Sequence, residues 1–426
     1  MKTVFSSIQW LIFLVATSIA APIAIAAVFQ LDIIETQGFV QRTMLVLGVA
    51  GMVQVLFGHK LPINEGPAGL WWGVFSIYAT FVGVLYSTAQ ETLQVLQSGL
   101  LMSGVMFIVL AVTGLINKIT KLFTPVVTFT YLMLLIFQLS GSFLNGMVGL
   151  TSEGGKVQLS VMLGSFVTIV VMFWFSNHRI AWVQRYSIVL AIVIGWAVFS
   201  VMGKAPFDVP NADSLVTLPT FFAFGPPLFD SGVFVTAIFI TFLLTTNLVA
   251  SIRVMESAMY EHFNEEPKGR YRQAGLAAGV NTLFSGAASA IGPVPISGAA
   301  GYVVSTKSPS RRPFFIGSLM VAVVSLLPIV MNTLAQIPAA VAFAVTFVIF
   351  TKMIRLAFVE WQKENNKERG LTVVGIAWLV GVGLMFVPST AYSDLPVALS
   401  SILSNGLITG TVIAVIIEQT LTYKAK

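Results

Sequence analysis

The stretch Pro295-Ile296-Ser297-Gly298-Ala299-Ala300-Gly301 interrupts an otherwise apolar region in the second half of the chain. A near-copy in the first half reads Pro62-Ile63-Asn64-Glu65-Gly66-Pro67-Ala68-Gly69. With one extra residue in the earlier copy, both fit the frame Pro-Ile-polar-Gly-x-Ala-Gly. Proline has no backbone N–H and glycine has no Cβ, so neither stretch is expected to begin as regular helix.

Two such interruptions at matching places indicate a binding site inside a membrane. Irregular backbone at membrane depth survives only where it is buried in protein or lines a wet cavity. A pair of Gly/Pro-interrupted apolar segments in corresponding halves is typical of the binding site of a transporter. The alternative is that the two stretches are ordinary glycine- and proline-rich loops that are alike by chance.

The composition is that of a polytopic membrane protein. Of the 426 residues 56% are hydrophobic and 9% are charged, against about 25% charged in a soluble domain, and the mean hydropathy is +0.89. The absence of cysteine excludes disulfides, a thiol nucleophile and cysteine metal sites. The histidines, His59, His178 and His262, fall in polar connections, so no metal site and no cofactor are expected. The net charge of +6 is interpreted by side of the membrane and not as nucleic-acid binding.

Apolar runs on the scale of a membrane span, about 20 residues, predict an all-α fold of fourteen transmembrane segments. Segments three and ten carry the interrupted stretches, and segment ten is too short to span as helix alone, which fits a half-helix preceded by extended chain. The first half gives segments near 8–29, 43–58, 66–86, 93–117, 122–144, 157–176 and 187–203. The second half gives segments near 231–255, 272–291, 294–306, 313–332, 336–357, 371–388 and 403–421.

The distribution of basic residues supports this topology. With a cytoplasmic N-terminus, only Arg42, Lys156 and Lys204 among the 23 lysines and arginines fall on the outer side, as the positive-inside rule requires. Seven segments in each half give the halves opposite orientations, so the repeat is inverted and both termini are cytoplasmic. The polar linker 203–230 then joins the halves on the outside. The first apolar run is too long for the h-region of a signal peptide and is expected to remain as a helix.

Ionisable residues inside spans are functional candidates because they are costly there. Glu65 lies in the first interrupted stretch, and Arg253 and Glu256 lie three apart on one face at the end of segment eight. These three are the candidates for coupling transport to an ion. The alternatives are that Arg253 and Glu256 pair with each other at the boundary and that Glu65 reaches the inner interface beside His59. Glu418 is expected at an interface.

Several uncharged residues are candidates for binding the solute. Asn247 and Ser251 are spaced i, i+4 and share a stripe at about mid-depth of segment eight, although Asn247 could equally bond a neighbouring helix. Trp71 follows the first interruption and could stack on a planar ligand or belong to the interfacial aromatic belt. The complete set of predicted substrate-binding residues is Gly66, Ala68, Gly69, Trp71, Asn247, Ser251, Ser297, Gly298 and Ala299.

Motifs along essentially the whole chain resemble those of the nucleobase–ascorbate transporter (nucleobase:cation symporter) family, and the chain is identified as a divergent, uracil- or xanthine-permease-like member. The motifs are Gln9-Trp10 with Ala21-Pro22, then Leu61-Pro62 leading to Gly66, and Gly301 followed five residues later by Thr306-Lys307. The resemblance implies two inverted repeats, strands in segments three and ten, and frequent dimerisation. It also implies proton- or sodium-coupled uptake of purines or pyrimidines.

The resemblance also divides the chain into a core domain and a gate domain. Residues 1–120 and 229–333 form the core domain, from segments 1–4 and 8–11. Residues 121–228 and 334–426 form the gate domain, from segments 5–7 with the outer linker and from segments 12–14.

Two departures from the family pattern concern its carboxylates. The tenth-segment motif here carries Gly298 and Ala299 where the family has Glu, Gln or Pro and then Asn. Alignment of Asn247 to Arg253 with the eighth-segment pattern Asn-x-x-Glu-Ser-Ile-Gly puts Ala250 at the position of the substrate-binding glutamate. A rival register uses Glu256, which leaves the carboxylate at the helix end. In the preferred register both family carboxylates are missing.

The sequence therefore predicts a secondary transporter, not an enzyme, that moves a nucleobase or similar small planar solute across the cytoplasmic membrane by alternating access with proton coupling. The first alternative is an uncoupled or anion transporter on the same fold. A membrane-embedded enzyme would need converging His, Asp or Ser groups within spans, which the inventory lacks. A non-transporting structural or sensor protein is the remaining alternative.

Overall fold

The computed structural model of the protein describes residues 2–150, 155–205 and 214–424. The part of the predicted outer linker that spans 206–213 lies outside the described residues. Elements are numbered below in chain order.

In the first half, helices continue one another with short breaks, and a single three-residue strand precedes a short helix. The order is α1 (Lys2–Ser18), α2 (Ala20–Val28), α3 (Ile33–Leu56), β1 (Glu65–Pro67), α4 (Gly69–Ala79), α5 (Ala89–Val112), α6 (Ile116–Leu122), α7 (Pro125–Met147), α8 (Leu159–Ser176), α9 (Ala181–Arg185) and α10 (Ser187–Val201).

The second half follows the same plan, with its strand again before a short helix. The order is α11 (Ser231–Phe263), α12 (Tyr271–Ala287), β2 (Pro293–Pro295), α13 (Ala299–Thr306), α14 (Arg311–Ser325), α15 (Pro328–Ala335), α16 (Ala339–Gln362), α17 (Lys367–Met385), a 3₁₀ turn (Ser389–Tyr392), α18 (Val397–Leu403) and α19 (Gly406–Lys424).

The helical membrane architecture predicted from the sequence is confirmed at this level, since each predicted apolar segment contains a helix. Within the described residues, 8 helices are long and apolar enough to cross a membrane, or up to 10 if each bent pair counts as one span. The bent pairs are α14–α15, with an angle of 85°, and α18–α19, with 79°. The count of fourteen crossings and the inverted relation of the halves remain predictions.

Both interrupted stretches are extended before they become helical, but the two copies of the motif do not coincide in structure. Pro295 is the last residue of β2, whereas Pro62 lies before β1 begins at Glu65. Residues that match in the two sequence motifs therefore do not occupy matching positions in the two strands. The common structural unit is a strand, a short connection and a short helix.

The helices pack in two groups. α5 lies against α12 and α11, and α3 against α14 and α12, while α1 also contacts α14. In the other group α7 and α8 lie against α16, and α19 lies against α17 and α7. Contacts of α2 with α16, α4 with α7, and α11 with α18 join the groups. The short helix α4 therefore lies where the two groups meet.

The outer faces are apolar, as a lipid-facing surface requires. Phe166 on α8 is 63% exposed and Leu379 on α17 is 80% exposed. Exposed large apolar side chains on helices of this hydropathy are typical of contact with acyl chains.

Glycines allow helices inside the first group to approach closely. A Cβ at Gly104 of α5 would lie 2.7 Å from the backbone nitrogen of Leu283 and 2.9 Å from the carbonyl oxygen of Gly279, both on α12. Small residues allow such backbone contact, which supplies much of the packing energy between helices in a membrane.

Replacement of Gly104 by alanine should therefore lower the midpoint of thermal unfolding in detergent, because the obstructing atoms are backbone. We expect the free energy of unfolding to fall by about 1–3 kcal/mol, the usual range when an extra methyl group is forced into a well-packed interior. Gly375→Ala is the matched control, since nothing lies within 4 Å of a Cβ there, and alanine favours helix over glycine by about 1 kcal/mol. Equal midpoints for the two variants would contradict the proposed contact.

Candidate functional site

The two interrupted stretches meet. β1 and β2 pair antiparallel and form a two-stranded sheet. Hydrogen bonds extend the pairing at each end, from the Ala68 N–H to the Gly292 carbonyl (2.9 Å) and from the Ile296 N–H to the Asn64 carbonyl (3.0 Å). The paired residues are Glu65 with Pro295, Gly66 with Val294, and Pro67 with Pro293.

The sheet places one helix N-terminus at each of its ends. α4 begins at Gly69, directly after Ala68, and α13 begins at Ala299, after a turn through Ile296–Gly298. In that turn the Ala299 N–H donates to the Ile296 carbonyl (3.1 Å) and the Ala300 N–H to the Ser297 carbonyl (3.1 Å). These two amides are thus occupied within the chain, which reduces what Ser297 to Ala299 can offer a ligand.

The two helix starts differ in how they are covered. A Cβ at Gly69 would lie 3.5 Å from Phe350 of α16 and 3.8 Å from Leu135 of α7, so the second group of helices covers α4. Gly298 and Gly301 of the α13 region are exposed, and nothing lies within 4 Å of a Cβ at Gly301. The α13 side is therefore open and the α4 side is closed.

Asn247 and Ser251 lie together, as their spacing predicts. The Asn247 Nδ2 donates to the Pro295 carbonyl at 3.2 Å, and the Ser251 Oγ donates to the same oxygen at 2.8 Å. Both donors on α11 thus hold the end of β2. Ala250, at the position of the family glutamate in the preferred register, is exposed.

The two tryptophans of α4 point in different directions. Trp71 is fully buried and packs against Gly99 and Gly292, behind the sheet. Trp72 lies at the boundary between the helix groups, with its ring edge-on to Phe143 (centroids 5.4 Å apart) and to Phe350 (6.4 Å). Neither belongs to an interfacial belt, because both are buried. The aromatic surface beside Gly69 comes from Trp72, Phe143 and Phe350. No local pattern marks the last two, because they lie far away in the chain.

Glu65 is buried and does not reach an interface. It is 2% exposed, and its Oε1 lies 3.6 Å from Nε2 of His59, which is also buried. His59 was expected in a polar connection. The apolar surroundings of residues 59–65 arise from tertiary packing and leave no mark in the local sequence.

Arg253 and Glu256 do not pair with each other, which corrects the sequence-based alternative. The Glu256 carboxylate accepts the N–H groups of Lys268 and Gly269, each at 2.8 Å. Arg253 is exposed, and its guanidinium lies 5.7 Å from the centre of the Tyr271 ring. Glu418, expected at an interface, is 1% exposed and pairs with Arg369 at 3.0 Å.

Two cavities adjoin these elements. One of about 830 Å³ lies beneath the end of α3 and is lined by residues that include Lys60, Leu61, Pro62, Glu256, Lys268 and Arg311. Another of about 440 Å³ lies between the end of α11 and α13, beside Gly301. No cluster of His, Asp and Glu suited to a metal ion occurs within the described ranges.

Comparison with known proteins agrees with this architecture. The chain is 45% identical over 425 residues to the "Putative purine permease YwdJ" of Bacillus subtilis, covering 98% of this chain and 96% of that protein. It is 23% identical to the xanthine permease of Bacillus subtilis, covering 98% and 93%.

Solved structures share the fold. The transmembrane domain of the cyanobacterial bicarbonate transporter BicA matches with a TM-score of 0.64 at 15% identity, over 94% of this chain and 97% of that chain. The murine anion transporter Slc26a9 in its inward-facing state matches with a TM-score of 0.63 at 11% identity, over 99% and 68%. At such identities the likeness concerns the fold alone.

The sequence profile described as Permease family matches residues 1–390. Together with the relatives above and the paired broken segments, this match shows that the chain belongs to the permease family of xanthine- and uracil-type transporters. It is a multi-pass membrane permease, not an enzyme.

Proposed function

We propose that the protein is a secondary transporter that moves a nucleobase, most simply a purine, or a similar small planar solute across the cytoplasmic membrane. The relatives named as purine and xanthine permeases support this substrate class. The observation that carries the proposal is the β1–β2 pairing, which places a helix N-terminus beside aromatic side chains at the boundary of two helix groups.

The solute is proposed to bind at the start of α4. The first N–H groups of a helix have no partner within the helix, and the positive end of the dipole suits carbonyl oxygens or an anionic ring. Gly66, Ala68 and Gly69 bring this backbone within reach, and Gly69 lies 3.5 Å or more from its neighbours at its Cβ position. Trp72 offers an aromatic face and a buried indole N–H that has no hydrogen-bond partner among the residues that the structure describes.

The remaining predicted residues take supporting roles in this proposal. Asn247 and Ser251 fix β2 through the Pro295 carbonyl. Trp71 fills the space behind the sheet. Ser297, Gly298 and Ala299 form the open wall opposite α4, where the absence of side-chain bulk leaves room for the solute.

Transport is proposed to follow alternating access between a core domain, 1–120 with 229–333, and a gate domain, 121–228 with 334–426. The two packing groups of helices support this division. Fourteen crossings in two inverted repeats, cytoplasmic termini and assembly as a homodimer belong to the same proposal. Of the coupling candidates, Glu65 is favoured, since Glu256 is engaged by backbone amides and Arg253 is exposed.

An uncoupled or anion-transporting mode is the second candidate. It is favoured by Ala250 and Gly298, which put no carboxylate at the two family positions, beside a helix N-terminus that suits negative charge.

Uptake by the purified protein in liposomes tests the function. We expect saturable uptake of radiolabelled xanthine or uric acid, increased when the bath is made more acidic than the lumen. Protein-free liposomes are the control. Uptake of bicarbonate or sulfate without any purine uptake would contradict nucleobase transport, and purine uptake unaffected by a pH or sodium gradient would support the uncoupled mode.

The shared acceptor predicts non-additive effects of mutation at Asn247 and Ser251. Asn247→Ala or Ser251→Ala alone should lower the free energy of unfolding by about 1 kcal/mol, because the other side chain still donates to the Pro295 carbonyl. The double variant leaves that buried carbonyl without either side-chain donor. It should lower the free energy of unfolding by about 1–3 kcal/mol more than the two single variants together.

Unfolding midpoints of the four proteins in one detergent provide the measurement. Ser257→Ala, on the same helix but exposed, with its hydroxyl bonded to Glu261 at 2.7 Å, should leave the midpoint unchanged. Strict additivity of the two single changes would show that the donors act independently.

A further inference from the structure

We propose that His59 and Glu65 together form a proton-binding site that couples solute transport to a proton gradient. This inference rests on the proposed function and assigns its coupling site. The His59 Nε2 and the Glu65 Oε1 lie 3.6 Å apart, and their side chains are 0% and 2% exposed. Neither atom has a hydrogen-bond partner among the described residues.

The backbone fixes which imidazole nitrogen faces the carboxylate. The Leu61 N–H donates to Nδ1 of His59 at 3.0 Å, so the neutral ring carries its hydrogen on Nε2. The Nε2 atom that carries this hydrogen lies 3.6 Å from Oε1 of Glu65, just beyond hydrogen-bond distance. A movement of a few tenths of an ångström makes the bond.

The pair is isolated from other charges along the elements that pack on β1. Those elements are α1, α3 and β2. α1 has Lys2 at its far end as its one charged residue, and β2 has none. Glu35 and Arg42 are the charged residues of α3. Along the helix axis they are roughly 20 Å or more from Leu56, where α3 ends.

The nearest charged residues belong to the segment around His59 and to the cavity beside the pair. Lys60 follows His59 directly, and the Arg270 Nε donates to the Gly58 carbonyl at 2.9 Å. The charged cavity residues are Lys60, Glu256, Glu265, Glu266, Lys268, Arg311 and Arg312.

Burial gives the pair two distinct states. With one shared proton the pair is neutral overall, whether the proton is on the carboxylate or on the ring. Loss of that proton leaves a buried carboxylate facing a neutral ring, which is costly in a low-dielectric surrounding. Deprotonation therefore favours a conformation in which water or hydrogen-bond donors reach the Glu65 carboxylate, so the protonation state of the pair influences the conformation of the protein.

The pair adjoins a cavity on one side and the sheet on the other. Leu61, whose N–H donates to the ring, also lines the cavity of about 830 Å³, which is bordered by both acidic and basic residues, so the cavity borders the residue that bonds the imidazole. On the other side Glu65 pairs with Pro295, whose carbonyl is held by Asn247 and Ser251. A shift of β1 is thus transmitted directly to β2 and α11.

Liposome transport of the wild type, Glu65→Gln and His59→Asn tests this assignment with radiolabelled xanthine. Glutamine keeps the shape of Glu65, and asparagine can keep the acceptor for the Leu61 N–H, while both remove the titrating group. A gradient of one pH unit supports up to about tenfold accumulation for one proton per solute. The wild type should approach this ratio, and both variants should reach only equal concentrations while still exchanging internal for external xanthine.

Glu265→Gln is the matched control, since Glu265 lines the same cavity and is exposed; it should accumulate xanthine as the wild type does. Gradient-driven accumulation by either pair variant would overturn the assignment. Accumulation lost by all three variants would also overturn it. If the wild type exchanges no purine, the proposed function fails instead, and if it exchanges purine without responding to the gradient, both the coupling and the pair are wrong.

A measurement on the wild-type side chains covers the case in which a variant does not fold. With ¹⁵N-labelled histidine only three residues give signals, and His178→Gln and His262→Gln assign them. We expect the His59 ring nitrogens to report a hydrogen on Nε2 and to change their titration when xanthine binds. A His59 signal indifferent to both pH and xanthine would overturn the proposal.

Discussion

The structure depends on how backbone hydrogen bonds are satisfied where two apolar segments stop being helical. Outside helices and closed barrels, a chain at membrane depth must find partners within the protein. β1 and β2 supply them to each other through hydrogen-bonded pairs that alternate along the ladder, and Pro67, Pro293 and Pro295 occupy the intervening positions, where the missing N–H would face away from the partner strand. The Pro295 carbonyl faces outward in the same way, and the side chains of Asn247 and Ser251 donate to it, which bonds the sheet to α11.

Local chemistry made part of this predictable. Pro and Gly in apolar runs mark a break wherever they occur, so the positions of the two broken segments followed from residue types, whereas the strands were implied by the resemblance to the family. The register did not, because it depends on which carbonyls face which amides after folding. The repeated Pro-Ile frame placed Pro62 opposite Pro295 in the alignment, yet β1 begins at Glu65 and β2 ends at Pro295.

The partners of ionisable side chains were the least predictable feature. Spacing placed Arg253 and Glu256 on one face of α11, but the loop that returns to α12 offers two N–H groups to the carboxylate, and charge-assisted bonds to backbone amides are strong. Glu65 and His59 are close in sequence, and only the packing of α1, α3 and β2 around them determines that both are buried. Likewise Trp71 and Trp72 are adjacent in sequence, and only tertiary contacts distinguish the one behind the sheet from the one at the boundary between the two helix groups.

The two helix starts are unequally covered, and this asymmetry has a mechanical consequence. Phe350 and Leu135 lie over Gly69, whereas the space at Gly301 is open. The covering residues belong to α16 and α7, and the sheet that carries Gly69 is bonded to α11. Because the sheet is bonded to one group and its cover belongs to the other, the alternating access proposed for this protein would uncover α4 without breaking the strand pairing. The broken segments would then stay rigid as a unit while access to them changes, which is the property that a binding site between two moving domains requires.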